Sequence, residues 1–327
     1  MRAVVCRRYG PPEDLVVDDV ADPTPGPGQL LVRVHAAAVN FPDMLLIAGK
    51  YQVKIPVPFT PGSELAGEVV AVGPGSYGAP FAPGDRVFGA TPTGAFAELA
   101  LLDTHQVSAI PDGTDFAPAA AFGVTYRTAY HALRSVAQVA EGDWVVILGA
   151  AGGVGQAALD LAVGMKARVL AAASTEDKLD ICRQRGAEAT VAYDREDLKS
   201  AIRELTDGGA RVVIDPVGGR YAEPALRGLA RGGTFITLGY AAGAIPAIPL
   251  NLVLLKDITI RGMEIRTFTA DHPEDAARDI RELQQMFADG RIQPYIGARF
   301  PLADAATALR YVAERKALGK VVIDVTA

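Results

Sequence analysis

The chain has 327 residues, half of them hydrophobic and 21% charged, a globular composition long enough for two domains of roughly 100–200 residues each. Thirty-two basic against 38 acidic residues give a formal charge of -6, which counts against a nucleic-acid binder with its usual basic stripe. Two cysteines, Cys6 and Cys182, can build neither a disulfide scaffold nor a four-cysteine zinc lobe, and each reads as a small buried hydrophobe or an idle thiol.

The N-terminal residues Met1-Arg2-Ala3-Val4-Val5-Cys6 lack a signal-peptide hydrophobic region. Up to about residue 120, short strand-like runs such as 30–34 and 67–73 alternate with turns marked by Pro23, Pro25, Pro27, Pro74, Pro80 and Pro83. Dense Pro and Gly between β-branched runs reads as an all-β module. From Trp144 the rhythm becomes strand–helix alternation, with apolar strand candidates at 144–148, 167–172, 189–192, 211–214, 234–238 and 258–262. Val154, Ala158, Leu161, Ala162 and Met165 recur at a helix period. Fully apolar strands separated by helices predict a parallel sheet covered on both faces. The uncharged stretch 232–255 is broken by Gly239, Gly243, Pro246, Pro249 and Asn251, so it reads as strand, loop and helix and not as a membrane span. An amphipathic helix at 273–288 and a final strand at 320–325 close the chain, and this tail is expected to pack on the first domain. A soluble, cytoplasmic protein is expected.

The motif that organises the second region is Gly149-Ala150-Ala151-Gly152-Gly153-Val154-Gly155, directly after a strand and opening a helix. Glycines allow a tight turn and close approach to a pyrophosphate, and a helix N-terminus offers free N–H groups. An NAD site usually carries an acid at the end of the next strand to bind the ribose 2′-hydroxyl. Here that strand ends Leu170-Ala171-Ala172-Ala173-Ser174, with no acid, which favours NADPH. Lys178, one helical turn beyond Ser174, is placed to reach a 2′-phosphate as a point charge. The same residues admit a plainer account: Ser174-Thr175-Glu176-Asp177 has capping-box form, and Lys178 would then be a solvated surface charge.

His35, His105, His131 and His272 have no metal-ligand spacing and read as packed or surface imidazoles. Pro74-Gly75-Ser76-Tyr77-Gly78 has proline where a nucleophile elbow needs its first glycine, and there is no P-loop.

Four stretches make the chain resemble a zinc-independent medium-chain dehydrogenase/reductase of the quinone oxidoreductase type. They are Asn40-Phe41-Pro42-Asp43 with Gly49-Lys50-Tyr51, Pro61-Gly62-Ser63-Glu64-Leu65-Ala66-Gly67, Ala120 to Thr125 with Thr128-Ala129-Tyr130, and the glycine signature. Zinc-dependent relatives carry histidine where Ser63 stands, and a cysteine near the place of Asn40. The resemblance implies a GroES-like β-rich domain, discontinuous at 1–121 and 266–327, and a Rossmann domain at 122–265, with the site in the cleft between them. It also implies NADPH and a homodimer. By resemblance Gly152, Gly153, Val154 and Gly155 form the pyrophosphate loop, and Ser174, Lys178 and Tyr193 the 2′-phosphate pocket. Arg315 resembles a cofactor-contacting basic residue, and Asn40, Tyr51 and Thr125 resemble residues lining the nicotinamide and substrate.

Three functions follow as expectations. The leading one is hydride transfer from NADPH to a quinone or enone, with Tyr51 and Asn40 as hydrogen-bond donors to the acceptor oxygen. A second is reduction of an enoyl thioester such as an acyl-CoA, with Arg127, Arg134 or Arg266 at a basic entrance. A third is a non-catalytic NADPH-binding or RNA-associating protein. Neither nucleic acid nor a membrane is an expected partner of the leading reading.

Overall fold

The computed structural model describes residues 1–74 and 80–326. Most of the stretch considered above as a nucleophile elbow, residues 75–78, lies outside the described residues. Contacts divide the chain into two compact units, Met1–Val124 with Pro294–Ala327, and Thr125–Gln293.

The first unit opens with an antiparallel pair, β1 (Arg2–Val5) and β2 (Val16–Asp19). The long strand β3 (Gln29–Val39) follows, with Leu30, Val32 and Val34 fully buried at alternate positions, as period-2 patterning requires. Helix α1 (Phe41–Ile47) starts immediately after it, with Pro42 in its first turn, where a missing N–H costs nothing. Strands β4 (Glu64–Val72), β5 (Arg86–Ala90), β6 (Leu99–Asp103) and β7 (Val107–Ala109) come next, then helices α2 (Phe116–Ala120) and α3 (Gly123–Tyr130).

The second unit is a strand–helix alternation. Its elements are β8 (Trp144–Leu148), α4 (Gly153–Gly164), β9 (Arg168–Ala173), α5 (Glu176–Gln184), β10 (Ala189–Ala192), α6 (Leu198–Leu205), β11 (Ala210–Asp215), α7 (Ala222–Gly228), β12 (Leu229–Thr237), α8 (Asn251–Lys256), β13 (Thr259–Gly262), α9 (Ile265–Asp271) and α10 (Pro273–Ala288). Among the described residues the strands lie in the order β10-β9-β8-β11-β12-β13 and every neighbouring pair is parallel. Successive strands are added outward first on one side of β8 and then on the other. The order reverses between β8 and β11, the position at which doubly wound sheets bind ligands beyond the strand C-termini. All five residues of β8 are buried, so its side chains are covered on both faces. The last strand departs from the expected covered sheet: all four residues of the edge strand β13 are exposed, unlike those of β10 at the opposite edge.

The chain returns to the first unit with β14 (Ile296–Pro301), α11 (Ala305–Ala313) and β15 (Lys320–Asp324). There the strand order is β14-β15-β3-β4-β5-β7, with β6 also on β3. The return falls at Pro294, not at 266, because α10 is clamped to the second unit. A π-helical turn, His131–Val136, presents a fully buried His131 whose Nδ1 lies 2.8 Å from Oδ2 of the equally buried Asp279 on α10. Ser135 Oγ donates to the same oxygen at 2.6 Å, and Arg278 donates to Asp279 Oδ1 at 2.7 Å.

Although burial opposes its charge, the hydrogen bonds from His131, Ser135 and Arg278 hold the Asp279 carboxyl below the usual aspartate range. Asp279→Ala strands this cluster, and is expected to cost about 3–5 kcal/mol in urea unfolding near neutral pH. A carboxyl whose folded value is depressed contributes fully above its unfolded value. The gap between wild type and variant should therefore narrow as pH falls below about 4. A gap under about 1 kcal/mol at neutral pH would contradict this clamp.

Candidate active site

Strand β8 delivers the chain into a tight turn at Gly149, whose φ of 58° lies in the left-handed region that glycine adopts without strain. Helix α4 then starts against the strand end. A side chain at Gly155 would put its Cβ 2.2 Å from the Gly149 carbonyl oxygen and 2.7 Å from Ala150 Cα, so only glycine lets the helix sit this close. The N-cap is Gly152, which supplies no side-chain acceptor, leaving the first-turn amides of Gly153, Val154 and Gly155 and the positive dipole end for an anion. Across the switch point, β11 ends in Asp215, fully buried. Its Oδ1 accepts from Val217 N and Gly218 N at 2.8 Å each, fixing the turn that follows. Val217 in turn lies against Gly149, where a Cβ would meet its Cγ2 at 2.7 Å. Burial pushes the Asp215 carboxyl up, and these two amides only partly offset that.

The end of β9 carries the second group. Lys178 Nζ donates to Ser174 Oγ at 3.2 Å. The N-cap of α5 is Thr175, without a side-chain cap, so Ser174 precedes the cap and the capping-box account does not hold. Tyr193 N donates to Ala173 O at 3.1 Å, which places Tyr193 beside Ser174 at the next strand end. Its ring packs on Tyr221 at 4.3 Å between centroids. Cys182 on α5 is buried against Gln156, and burial pushes its thiol up to about 12, which disfavours the thiolate.

The remaining expected residues belong to or adjoin the first unit. Three strand ends meet there: β3 stops before Asn40, β4 begins at Glu64 and β15 begins at Lys320. Antiparallel pairing of Val39 with Val321 and of Ala37 with Leu65 brings the next position on each strand together. Lys320 Nζ donates to Asn40 Oδ1 at 2.6 Å and to Glu64 Oε2 at 3.1 Å. Asn40 Nδ2 donates to Glu64 Oε2 at 2.9 Å, and Val124 N to Glu64 Oε1 at 2.5 Å. Asp43 accepts from Asn40 N at 2.7 Å in a capping box, and burial pushes its carboxyl up to about 7. The Asn40 carboxamide therefore points into the protein, not outward as an uncommitted donor. Tyr51 is half-buried against the hydrophobic core, and Thr125 is buried one residue beyond the amide that Glu64 holds. Arg315 is exposed at the end of α11, in the first unit, with φ 59°.

Among the described residues no three His, Cys, Asp or Glu side chains converge as a metal site. Ser63 Oγ lies 3.4 Å from Asp43 Oδ1. His35 stacks on Phe116 at 4.2 Å, a packing role.

Comparison with known proteins agrees with the fold. The alcohol dehydrogenase GroES-like domain family matches residues 26–112, and the zinc-binding dehydrogenase family matches residues 153–284. A quinone oxidoreductase-like protein 2 homolog from Nematostella vectensis is 38% identical over 99% of this chain and 88% of its own. The chain belongs to the quinone oxidoreductase family of medium-chain dehydrogenases/reductases. A mycobacterial member solved with NADPH superposes with a TM-score of 0.92 at 31% identity, over 99% of this chain and all of its own. The Escherichia coli quinone oxidoreductase, also solved with NADPH, gives 0.91 at 26% identity, again over 99% and 100%. As a member of this family the protein is an oxidoreductase of mixed α/β fold.

Lys320 and Asp215 are functional-site neighbours that the sequence reading missed, and only Asp215 carries a signal that could have found it. Asp215 opens an Asp-Pro-Val-Gly-Gly run at a strand end, a pattern that marks a fixed turn, whereas a lone lysine before an apolar strand marks nothing. The glycine contact predicts a sharp contrast within one helix. Gly155→Ala should cost about 1–3 kcal/mol in chemical unfolding. Gly164→Ala, where nothing lies within 4 Å, should be neutral or stabilising by up to about 1 kcal/mol. Equal effects of the two would mean that α4 does not need its close seat on β8.

Proposed function

We propose that this quinone oxidoreductase family member reduces a quinone or another electrophilic conjugated carbonyl by hydride transfer from NADPH, without a bound metal. The observation that carries the cofactor choice is the end of β9. No acid stands there, and the Lys178 ammonium is fixed on Ser174 at 3.2 Å, a point charge and a hydroxyl suited to a 2′-phosphate. Support also comes from the mycobacterial and E. coli relatives solved with NADPH.

The residues present fit the dinucleotide. The uncapped first turn of α4 at Gly153, Val154 and Gly155 would hold the pyrophosphate, and Ser174, Lys178 and Tyr193 the phosphorylated ribose. When bound, NADPH supplies the hydride. The chain's own task is to orient the acceptor, exclude water and stabilise the charge that grows on its oxygen. We assign the donor role there to the Tyr51 hydroxyl. Asn40 shapes the wall beside it, since its carboxamide is committed to Glu64 and Lys320. Thr125 lines the same region, and solvent water supplies the proton. A metal-free reaction is supported by Ser63 standing where zinc-dependent relatives carry histidine. Of the three arginines considered for an acyl-CoA entrance, Arg134 pairs with Glu282 and Arg266 with Glu264.

The homodimer belongs to the same reading. β13 offers an exposed sheet edge, and Leu254 and Leu255 on α8 are 81% and 65% exposed. An open edge flanked by bare leucines is a surface that a second copy would cover.

Two outcomes are expected. Purified protein should oxidise NADPH with quinones or enones better than with enoyl-CoAs, and with activity that survives chelators. Lys178→Ala should raise KM for NADPH ~10–100-fold, as loss of a charge-assisted phosphate contact implies, and leave KM for NADH nearly unchanged. Equal weakening of both coenzymes removes the phosphate role, and absence of turnover with every acceptor overturns the enzymatic reading. In light scattering, wild type should run as a dimer and Leu254→Asp/Leu255→Asp as a monomer. A monomeric wild type refutes the edge pairing.

A further inference from the structure

Lys320 is 4% exposed and Glu64 1%, so both charges are withdrawn from water. A lone buried ammonium is costly, and this one is ion-paired with Glu64 Oε2 at 3.1 Å, with the buried Asp43 carboxyl also within its field. The carboxylate is shared. One oxygen takes Lys320 and Asn40, and the other takes the backbone amide of Val124, one residue before Thr125. Asn40 is gripped at both ends of its carboxamide, by Lys320 on the oxygen and Glu64 on the nitrogen. The grip also decides which way the amide faces, because an ammonium can bind only the oxygen end and a carboxylate only the nitrogen end.

We propose that Lys320 is a positioning residue for the reaction: through the Glu64 ion pair it fixes the orientation of the Asn40 carboxamide and the backbone on which Thr125 sits. The inference rests on the reading that Asn40 and Thr125 border the substrate. Lys320 itself meets protein groups at Asn40 and Glu64, and its effect passes through them. Asp43, on the neighbouring helix turn, faces the same cluster and holds the Asn40 amide N–H at 2.7 Å, so the backbone of Asn40 is secured separately from its side chain. Removing Lys320 therefore releases the oxygen end of the carboxamide and the ion pair that fixes Glu64, while the Asn40 backbone stays secured.

The composition makes a direct test possible, because Asn40 and Asn251 are the only asparagines. Protein labelled with 15N in asparagine alone shows two side-chain amide pairs, and Asn251 is exposed at the start of α8. In wild type the Asn40 pair should exchange slowly with water. In Lys320→Met its exchange should accelerate at least ~10-fold, with a moved shift, while Lys316→Met, an exposed control, leaves it unchanged. With the preferred acceptor, Lys320→Met should lower kcat ~10–100-fold at nearly constant KM for NADPH. In an Asn40→Ala background the same change should lower kcat little further. Should Lys320→Met fail to fold, Lys320→Met/Glu64→Gln removes both charges together and serves in its place. An unmoved Asn40 amide, or losses that simply multiply with Asn40→Ala, would overturn the proposal. Wild type that turns over no acceptor but shows the amide response would instead count against the functional reading and leave the positioning intact.

Discussion

Two charges in the interior of the first unit set the terms for everything around them. Lys320 and Glu64 lie on strands far apart in sequence, and each is tolerable only because the other is there. Pairing of β15 and β4 on either side of β3 is what brings them within 3.1 Å. Once the pair forms, its spare hydrogen-bonding capacity must be used, and the groups within reach are the Asn40 carboxamide and the Val124 amide. Sheet register, electrostatics and the placing of site residues are thus one constraint. A one-residue slip of β15 would point Lys320 to the other face and leave Glu64 without its cation.

The second unit meets its own constraint through absence of side chains. Helix α4 must come close enough to β8 for its first amides to be presented at the strand ends, and Gly149, Gly152 and Gly155 clear that path. The buried Asp215 does the complementary work on β11 by turning the next loop toward Gly149. Both features sit at the strand pair where the sheet order reverses, the place at which the topology opens a crevice.

Much of this was legible in the residues. Strong local patterns travelled well: the helix expected at about 273–288 is α10, and the glycine run lies at a strand–helix junction, as expected. Other features were misread. β13 was grouped with the covered strands although Thr259 and Arg261 alternate with Ile260 and Gly262, a polar pattern quite unlike the unbroken apolar run of β8. Capping grammar could not place Ser174, since Thr175 takes the cap and Lys178 claims the serine hydroxyl. The inward turn of the Asn40 carboxamide was unreadable because its partners lie 24 and 280 residues away.

That last point also bears on coenzyme choice. The acid-free end of β9 argues for a 2′-phosphate, yet Asp194 follows Tyr193 directly and would bring a negative charge to the neighbouring strand end. The structure disposes of it. Asp194 Oδ1 accepts from Arg220 at 2.7 Å and from the Tyr221 hydroxyl at 2.5 Å. Tyr221 in turn packs on Tyr193, so the neutralised carboxylate is tied to the aromatic wall of the pocket. Arg220 is also stacked over the Tyr221 ring at 5.0 Å, which keeps its guanidinium at this edge. Asp194 is thus already answered by Arg220 and Tyr221, and Lys178 stands at the neighbouring strand end on Ser174. A selectivity argument that counts acids along one strand misses this, because the decisive quantity is which charges remain unmatched at the strand ends.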